Sequence, residues 1–239
     1  LIIPARNEEL SLPGVLKNVP SVITKIVVVD NGSTDGTARI AAEYGAQVVY
    51  EQKAGYGRAC LAGLAALREN PPDLVAFVDA DGSDELACLP VLIAPVAAGE
   101  QDFVLGERIP VECKALSFQQ RFGHLLATGL IRLLWKYDYR DLGPMRVISW
   151  SALEGLAMAD QDFGWTVEMQ IRALKRGLRI QEIRVPYHRR SAGKSKISRT
   201  ISGTFKAGGT ILWVIGRELA LELRQQQQRP ADSDAGLAS

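Results

Sequence analysis

Cysteine is scarce in this chain: Cys60, Cys88 and Cys113 are widely spaced, and no two of them form a Cys-x-x-Cys pair. That excludes a disulfide framework and a cysteine-built zinc site, and it suits a reducing compartment. An excess of charge is missing as well. Lys and Arg number 28 against 27 Asp and Glu, a formal net charge of +1, which argues against a nucleic-acid binder dominated by phosphate contacts. No apolar run reaches the roughly 18 to 20 residues that span a bilayer. The nearest, from Thr210 to Leu223, carries Arg217, Glu218 and Glu222. Two nucleotide-binding signatures are also absent. There is no Gly-x-x-x-x-Gly-Lys-Ser/Thr, and Gly55-Tyr56-Gly57-Arg58-Ala59-Cys60 lacks the third glycine of the dinucleotide fingerprint. A P-loop NTPase and a Rossmann dehydrogenase are set aside on those grounds.

What is present is a succession of short apolar runs that end on carboxylates. Val75-Ala76-Phe77-Val78 leads straight into Asp79-Ala80-Asp81-Gly82. A continuous apolar run is how a strand buried on both faces reads, and its carboxyl end is where open α/β sheets bind ligands. Two carboxylates one residue apart repel unless a cation lies between them, so a hard divalent metal held by oxygens competes here with an ordinary Asp-Gly turn. Leu1-Ile2-Ile3 ends a first strand and leaves through Pro4-Ala5-Arg6-Asn7-Glu8-Glu9, before a helix from Pro13 to about Asn18. Ile26 to Val29 is a second strand, ending on Asp30, with a turn and a helix to Gly45 behind it. Gln47 to Tyr50 is a third, followed by a glycine-containing loop and an alanine-rich helix from Arg58 to Arg68. Asp73 to Val78 and Asp102 to Leu105 are the fourth and fifth. Strands alternating with helices at this spacing predict βαβ units and a mainly parallel sheet. Right-handed crossovers then gather Asn7, Glu8, Asp30, Asp79, Asp81 and Arg108 on one rim.

The second half differs in character. Ser117 to Lys136 has helical spacing, with Arg121, His124, Arg132 and Lys136 among its leucines. It reads either as a core helix with a solvated face or as a helix lying on lipid. Arg140 to Arg146 is a charged loop, Gly164 opens a helix through Arg176, and Ile180 to Val185 alternates as a strand does. The basic stretch Tyr187 to Lys196 follows, then a final helical region from Phe205 to Leu223. From Arg224 onward the glutamines and the Ala/Asp/Ser tail read as disordered.

An acidic half-site (Glu8, Asp30, Asp79, Asp81) thus faces a basic one (Arg121, Arg146, Arg190, Lys194, Lys196). Metal plus guanidinium and ammonium groups is how proteins handle a diphosphate leaving group. In sequence order, Pro4-x-x-Asn7-Glu8, Asp30-Asn31-Gly32-Ser33-Thr34-Asp35-Gly36-Thr37, Gly55-x-Gly57-x-Ala59 and Asp79-Ala80-Asp81-Gly82 resemble family 2 glycosyltransferases. Asp141 to Arg146 and Arg190-x-x-Gly193-Lys194-Ser195-Lys196 resemble the dolichol-phosphate-mannose-synthase-like branch in particular.

The resemblance implies an α/β GT-A fold over residues 1–200: a Rossmann-like, mainly parallel central sheet flanked by helices. A C-terminal amphipathic helix (201–223) and a disordered tail (224–239) would follow. It implies a metal-dependent, inverting transfer of a hexosyl group from a UDP- or GDP-type sugar, most readily to a polyprenyl phosphate. Pro4, Asn7, Glu8, Asp30, Gly57, Asp79, Arg108 and Lys194 would bind the donor. Asp79 and Asp81 would hold Mg²⁺ or Mn²⁺, with Arg190 and Lys196 covering the diphosphate. Arg121 and Arg146 would take the acceptor phosphate. A hydroxyl acceptor would need a base, for which Asp141 is the candidate; an Asp141–Arg146 ion pair shaping the loop is the alternative. The enzyme would be cytoplasmic and peripheral at a membrane face. A sugar nucleotidyltransferase would share the sheet but usually carries a glycine- and basic-rich first loop, and this one is Pro-Ala-Arg-Asn-Glu-Glu. A non-catalytic nucleotide-sugar sensor would not need Asp79, Asp81, Arg190 and Lys196 intact.

Overall fold

The computed structural model describes residues 1–112, 118–192 and 201–228. Seven strands form one sheet: β1 (Ile2–Ala5), β2 (Val27–Asp30), β3 (Gln47–Tyr50), β4 (Leu74–Phe77), β5 (Phe103–Pro110), β6 (Arg146–Ser149) and β7 (Ile180–Tyr187). Their spatial order is β3-β2-β1-β4-β6-β5-β7. All neighbours run parallel except β6, which is antiparallel to β4 on one side and to β5 on the other. The longest ladder joins β5 to β7, from Phe103 opposite Ile180 to Pro110 opposite Tyr187.

Side chains of a strand alternate between faces, and here each face has its own core. Ile2, Val27, Val29, Val75, Phe77, Phe103, Leu105 and Ile148 point one way. Ile3, Val28, Ala76, Val78, Val104 and Val147 point the other. The second face is covered by α1 (Leu12–Lys17), α2 (Thr37–Glu43) and α4 (Leu89–Ala97). The first is covered by α3 (Tyr56–Ala65), α5 (Phe118–Trp135), α6 (Trp150–Leu156), α7 (Trp165–Lys175) and α8 (Ile201–Gln228). Trp165 packs its ring 6.2 Å from that of Phe77; full burial of such aromatics contributes about 1.5–3 kcal/mol each.

Three elements differ from the sequence reading. β6 inserts antiparallel between β4 and β5, where its short run still buries Val147 and Ile148 on opposite faces. α4 forms despite Pro90 and Pro95: Pro90 lies in its first turn, where its missing N–H removes no bond. α8 runs on to Gln228, so Arg224 to Gln228, expected to open a disordered tail, are helical. Glutamine is a good helix former, and Trp135 anchors this end by donating to Glu222 at 2.8 Å. Residues 229–239 lie outside the described residues. α5 turns an unusual face outward: Leu125 and Leu133 are 68% and 74% exposed, while Ala127 and Ile131 are buried. Among the described residues no helix is long and apolar enough to cross a membrane.

Candidate active site

The rim at the carboxyl ends of β1, β2 and β4 is assembled by side chains that satisfy one another's backbones. Asp30 ends β2 and accepts from Ser33 N at 3.0 Å. Asn7, with φ at 51°, accepts from Thr34 N at 2.7 Å, so its oxygen shapes the rim, although donor binding was expected of it. Pro4 sits within β1 opposite Val29. Asn31 makes three bonds at once. Its amide donates to Glu51 O and Lys53 O at 3.0 and 2.8 Å, and its oxygen accepts from Gly55 N at 2.9 Å. A carboxylate here would have no proton for either carbonyl, which gives a reason for Asn at this position.

β4 delivers the acidic turn. Asp81 caps its own turn, accepting from Ser83 N at 2.9 Å. Asp79 N donates to Asp84 Oδ2 at 3.0 Å, while Asp84 Oδ1 is buried with no partner. Burial, then the charges of Asp81 and Asp84, push the Asp79 carboxyl well above the ordinary carboxylate range. Burial, opposed by the Asp79 amide and assisted by the Asp81 charge, takes Asp84 up to about 7. Two neighbouring carboxyls that resist ionising, those of Asp79 and Asp84, are what a bound cation would relieve. Asp79 and Asp81, with Asp84 behind them, fit a hard divalent ion. Among the described residues, though, no three such side chains already converge as a ligand set.

A guanidinium lies there in this conformation. Arg190 Nη1 is 2.7 and 2.9 Å from the two carboxylate oxygens of Glu8, and its Nη2 is 3.1 Å from Asp81 Oδ2. Glu8 Oε2 also accepts from Ser11 Oγ at 2.7 Å. The sequence expectation that Glu8, Asp81 and Arg190 share one place is met in this geometry. Lys194 and Lys196 lie outside the described residues, as does the Arg121 side chain.

Three expected roles are corrected. Asp141 does not pair with Arg146. Both its oxygens are taken by Arg108, at 2.6 Å to Nε and 2.8 Å to Nη2, and Arg108 N adds a third bond at 3.0 Å. Burial alone would raise Asp141, but the Arg108 guanidinium outweighs it and holds the carboxyl below the usual range. A carboxylate so engaged makes a poor proton acceptor, so the base assignment is withdrawn. Arg108 is held by this pair and lies over the Tyr187 ring at 5.1 Å. Arg146 is 1% exposed; it donates to Pro144 O and Thr166 O at 3.3 Å and to Gly143 O. It ties its own loop to α7 and is not available to an acceptor phosphate.

Gly57 is the third. Its N–H donates to Asp162 O at 3.2 Å, and Arg58 N donates to Gln161 O at 3.1 Å. A Cβ on Gly57 would overlap the Asp160 carbonyl, and one on Gly55 the Gln161 carbonyl. These glycines admit a crossing backbone, not a phosphate. That crossing segment is pinned from behind by Glu168. Its Oε2 accepts from Ala159 N and Asp160 N at 3.0 and 2.8 Å, and its Oε1 meets Arg172 and Arg217. Gly57→Ala is therefore expected to lose about 2 kcal/mol or more of stability, because the obstacle is backbone and cannot rotate away. Urea denaturation of the variant checks this, and an unchanged midpoint would contradict the packing.

Asp84 and Glu168 were not singled out in the sequence. Asp84 stood in plain view in an acidic turn, but nothing in its spacing distinguishes a buried acid from a solvated one.

Comparisons with known proteins fall on this geometry. The family description "Glycosyl transferase family 2" matches residues 1–154. An uncharacterized glycosyltransferase of Mycobacterium tuberculosis is 39% identical over 207 residues, covering 87% of this chain and 93% of its own. An undecaprenyl-phosphate mannosyltransferase of Micrococcus luteus is 30% identical over 84% of this chain and 88% of its own. Among solved structures, mannosyl-3-phosphoglycerate synthase from Rubrobacter xylanophilus superposes with a TM-score of 0.73 at 21% identity, over 96% of this chain and 76% of that one. Glucosyl-3-phosphoglycerate synthase from Mycobacterium tuberculosis, in complex with Mn²⁺, UDP-glucose and phosphoglyceric acid, superposes with a TM-score of 0.70 at 22% identity, over 90% and 78%.

Proposed function

Because the chain belongs to glycosyl transferase family 2 and is a glycosyltransferase of GT-A fold, we propose that it moves a hexosyl group from a nucleotide-diphosphate sugar to a polyprenyl phosphate, inverting the anomeric carbon. The observation that carries this reading is the cluster of Asp79, Asp81 and Asp84 bridged by Arg190 to Glu8. It provides carboxyl oxygens for a cation and a guanidinium for a phosphate in one place. Asp79 and Asp81 would hold Mg²⁺ or Mn²⁺, and the bound ion would stabilise the charge that grows on the leaving diphosphate. Arg190 would take up the same charge from the other side, with Lys194 and Lys196 beside it in sequence.

The acceptor follows from Asp141. With its base role withdrawn, an acceptor that is already anionic fits better than a hydroxyl that needs deprotonation. A lipid monophosphate is such an acceptor, and the relative from Micrococcus luteus is named for one. The exposed leucines of α5, next to exposed Arg132 and Arg140, suit a protein resting on the cytoplasmic face of a membrane with its cations among head groups. A soluble phosphate monoester has the same headgroup chemistry, and two of the superposed structures are named for phosphoglycerate products.

The experiment is a thermal-shift panel of UDP, GDP, CDP and dTDP sugars with Mn²⁺, followed by turnover of the stabilising donor with polyprenyl phosphate or with 3-phosphoglycerate. Transfer to the lipid is expected. Transfer to phosphoglycerate alone would replace the lipid, and no transfer with any donor would remove the reading. Flotation with anionic liposomes tests the membrane part; no association at low salt would sink it.

A further inference from the structure

We propose that Arg190 holds the cation's place in the donor-free enzyme, so that the site selects a divalent ion paired with a diphosphate and discriminates against the ion alone. This rests on the donor being a nucleotide-diphosphate sugar.

The geometry is that of a surrogate ion. A planar guanidinium matches two carboxylates at once, and Arg190 touches both oxygens of Glu8 and the outer oxygen of Asp81. The other oxygen of that carboxylate, Oδ1, accepts from Ser83 N at 2.9 Å. Asp79 and Asp84 lie behind this contact, joined by the bond from Asp79 N to Asp84 Oδ2 at 3.0 Å. A divalent ion arriving by itself must therefore displace Nη2 from Asp81 and then lie beside a half-buried positive charge. A diphosphate changes the balance, because it offers the guanidinium a new bidentate partner as the ion takes its old one.

The backbone around Arg190 is fixed, so only the side chain has to turn. His188 N donates to Ser83 O at 2.9 Å, and Ser191 donates to Asp81 O through both N, at 3.1 Å, and Oγ, at 3.0 Å. Gly82 has φ at +75°, and a Cβ there would stand 2.7 Å from Ser191 Oγ. The acidic turn and the 188–191 segment are fitted to one another on either side of the swinging residue. Arg190 thus determines what the acidic turn accepts.

The test measures binding of Mn²⁺ alone, by titration calorimetry, to the full chain and to Arg190→Ala and Arg189→Ala. Arg190→Gln serves if the alanine variant fails to fold, as judged by thermal shift. Arg189 is exposed and its backbone N–H goes to Glu112 at 3.0 Å, so its variant removes an equal charge one residue away. Arg190→Ala is expected to bind free Mn²⁺ about tenfold more tightly than the wild type, and Arg189→Ala within about twofold of it. With a saturating nucleoside diphosphate the order of wild type and Arg190→Ala should reverse. Equal or weaker Mn²⁺ binding by Arg190→Ala, or equal tightening in both variants, overturns the proposal. Should that happen while a nucleoside diphosphate still strengthens Mn²⁺ binding to the wild type, the donor assignment survives. If no nucleoside diphosphate strengthens it, the donor assignment falls and takes this proposal with it.

Discussion

Asparagine in place of Asp81 is expected to lower turnover by about 10²–10³-fold while leaving the protein folded. The substitution keeps the side chain's shape, and the amide oxygen can still accept from Ser83 N as the carboxylate does at 2.9 Å. What is lost is the negative charge on the oxygen that now faces Arg190, and with it the anchor proposed for the divalent ion. Oxygen ligands to such ions are predominantly carboxylates because charge, not only geometry, sets the affinity. The loss should appear in kcat at saturating Mn²⁺ and donor, with an unaltered thermal midpoint as the control. Full activity under those conditions would remove Asp81 from the chemistry.

The largest effect on stability is expected at Asp141. Alanine there should destabilise the fold by about 3–5 kcal/mol, because it strands a buried guanidinium and not because the pair itself is worth so much. Arg108 loses its bidentate partner, and the backbone N–H groups of Arg108 and Leu142 lose acceptors at 3.0 and 2.8 Å. A second substitution, Arg108→Met in the Asp141→Ala background, should recover part of the loss, and chemical denaturation of the four proteins separates the two terms. The pH dependence has a definite sign. The folded-state Asp141 carboxyl lies below its unfolded value, so its stabilisation is complete above about pH 4 and fades as the pH falls through the folded value. Asp141→Asn should flatten that acid limb. A general base would behave otherwise, with kcat falling on the acidic side and stability untouched.

The sheet was readable because buried parallel strands are continuous apolar runs: Val27-Val28-Val29-Asp30 and Gln47 to Tyr50 form strands where expected. β6 was not, since four residues that open on an arginine carry little periodicity, and only the partners on either side choose their direction. At the site, Glu8, Asp81 and Arg190 come together as anticipated, the first two by strand-end convergence. The cations further along were harder to place. Arg146 resembled a free phosphate ligand in sequence, yet carbonyls of its own loop and of Thr166 saturate it. Arg108 and Asp141 are separated by 33 residues, and no local pattern announces a pair that tertiary packing alone creates. Gly57 was expected to bind the donor for the same reason; the backbone that crosses it comes from residues 160–162.

The eight-residue ladder between β5 and β7 has a practical consequence for anyone dividing this protein. The family match ends at residue 154, which invites a short fragment or a chimera joined there. Such a cut would strip β5 of its longest partner, uncover the pocket of Trp165, and discard Arg190 from a rim built by the first eighty-odd residues. Grafting between relatives should instead exchange single rim loops, leaving both ends of the sheet with their native neighbours.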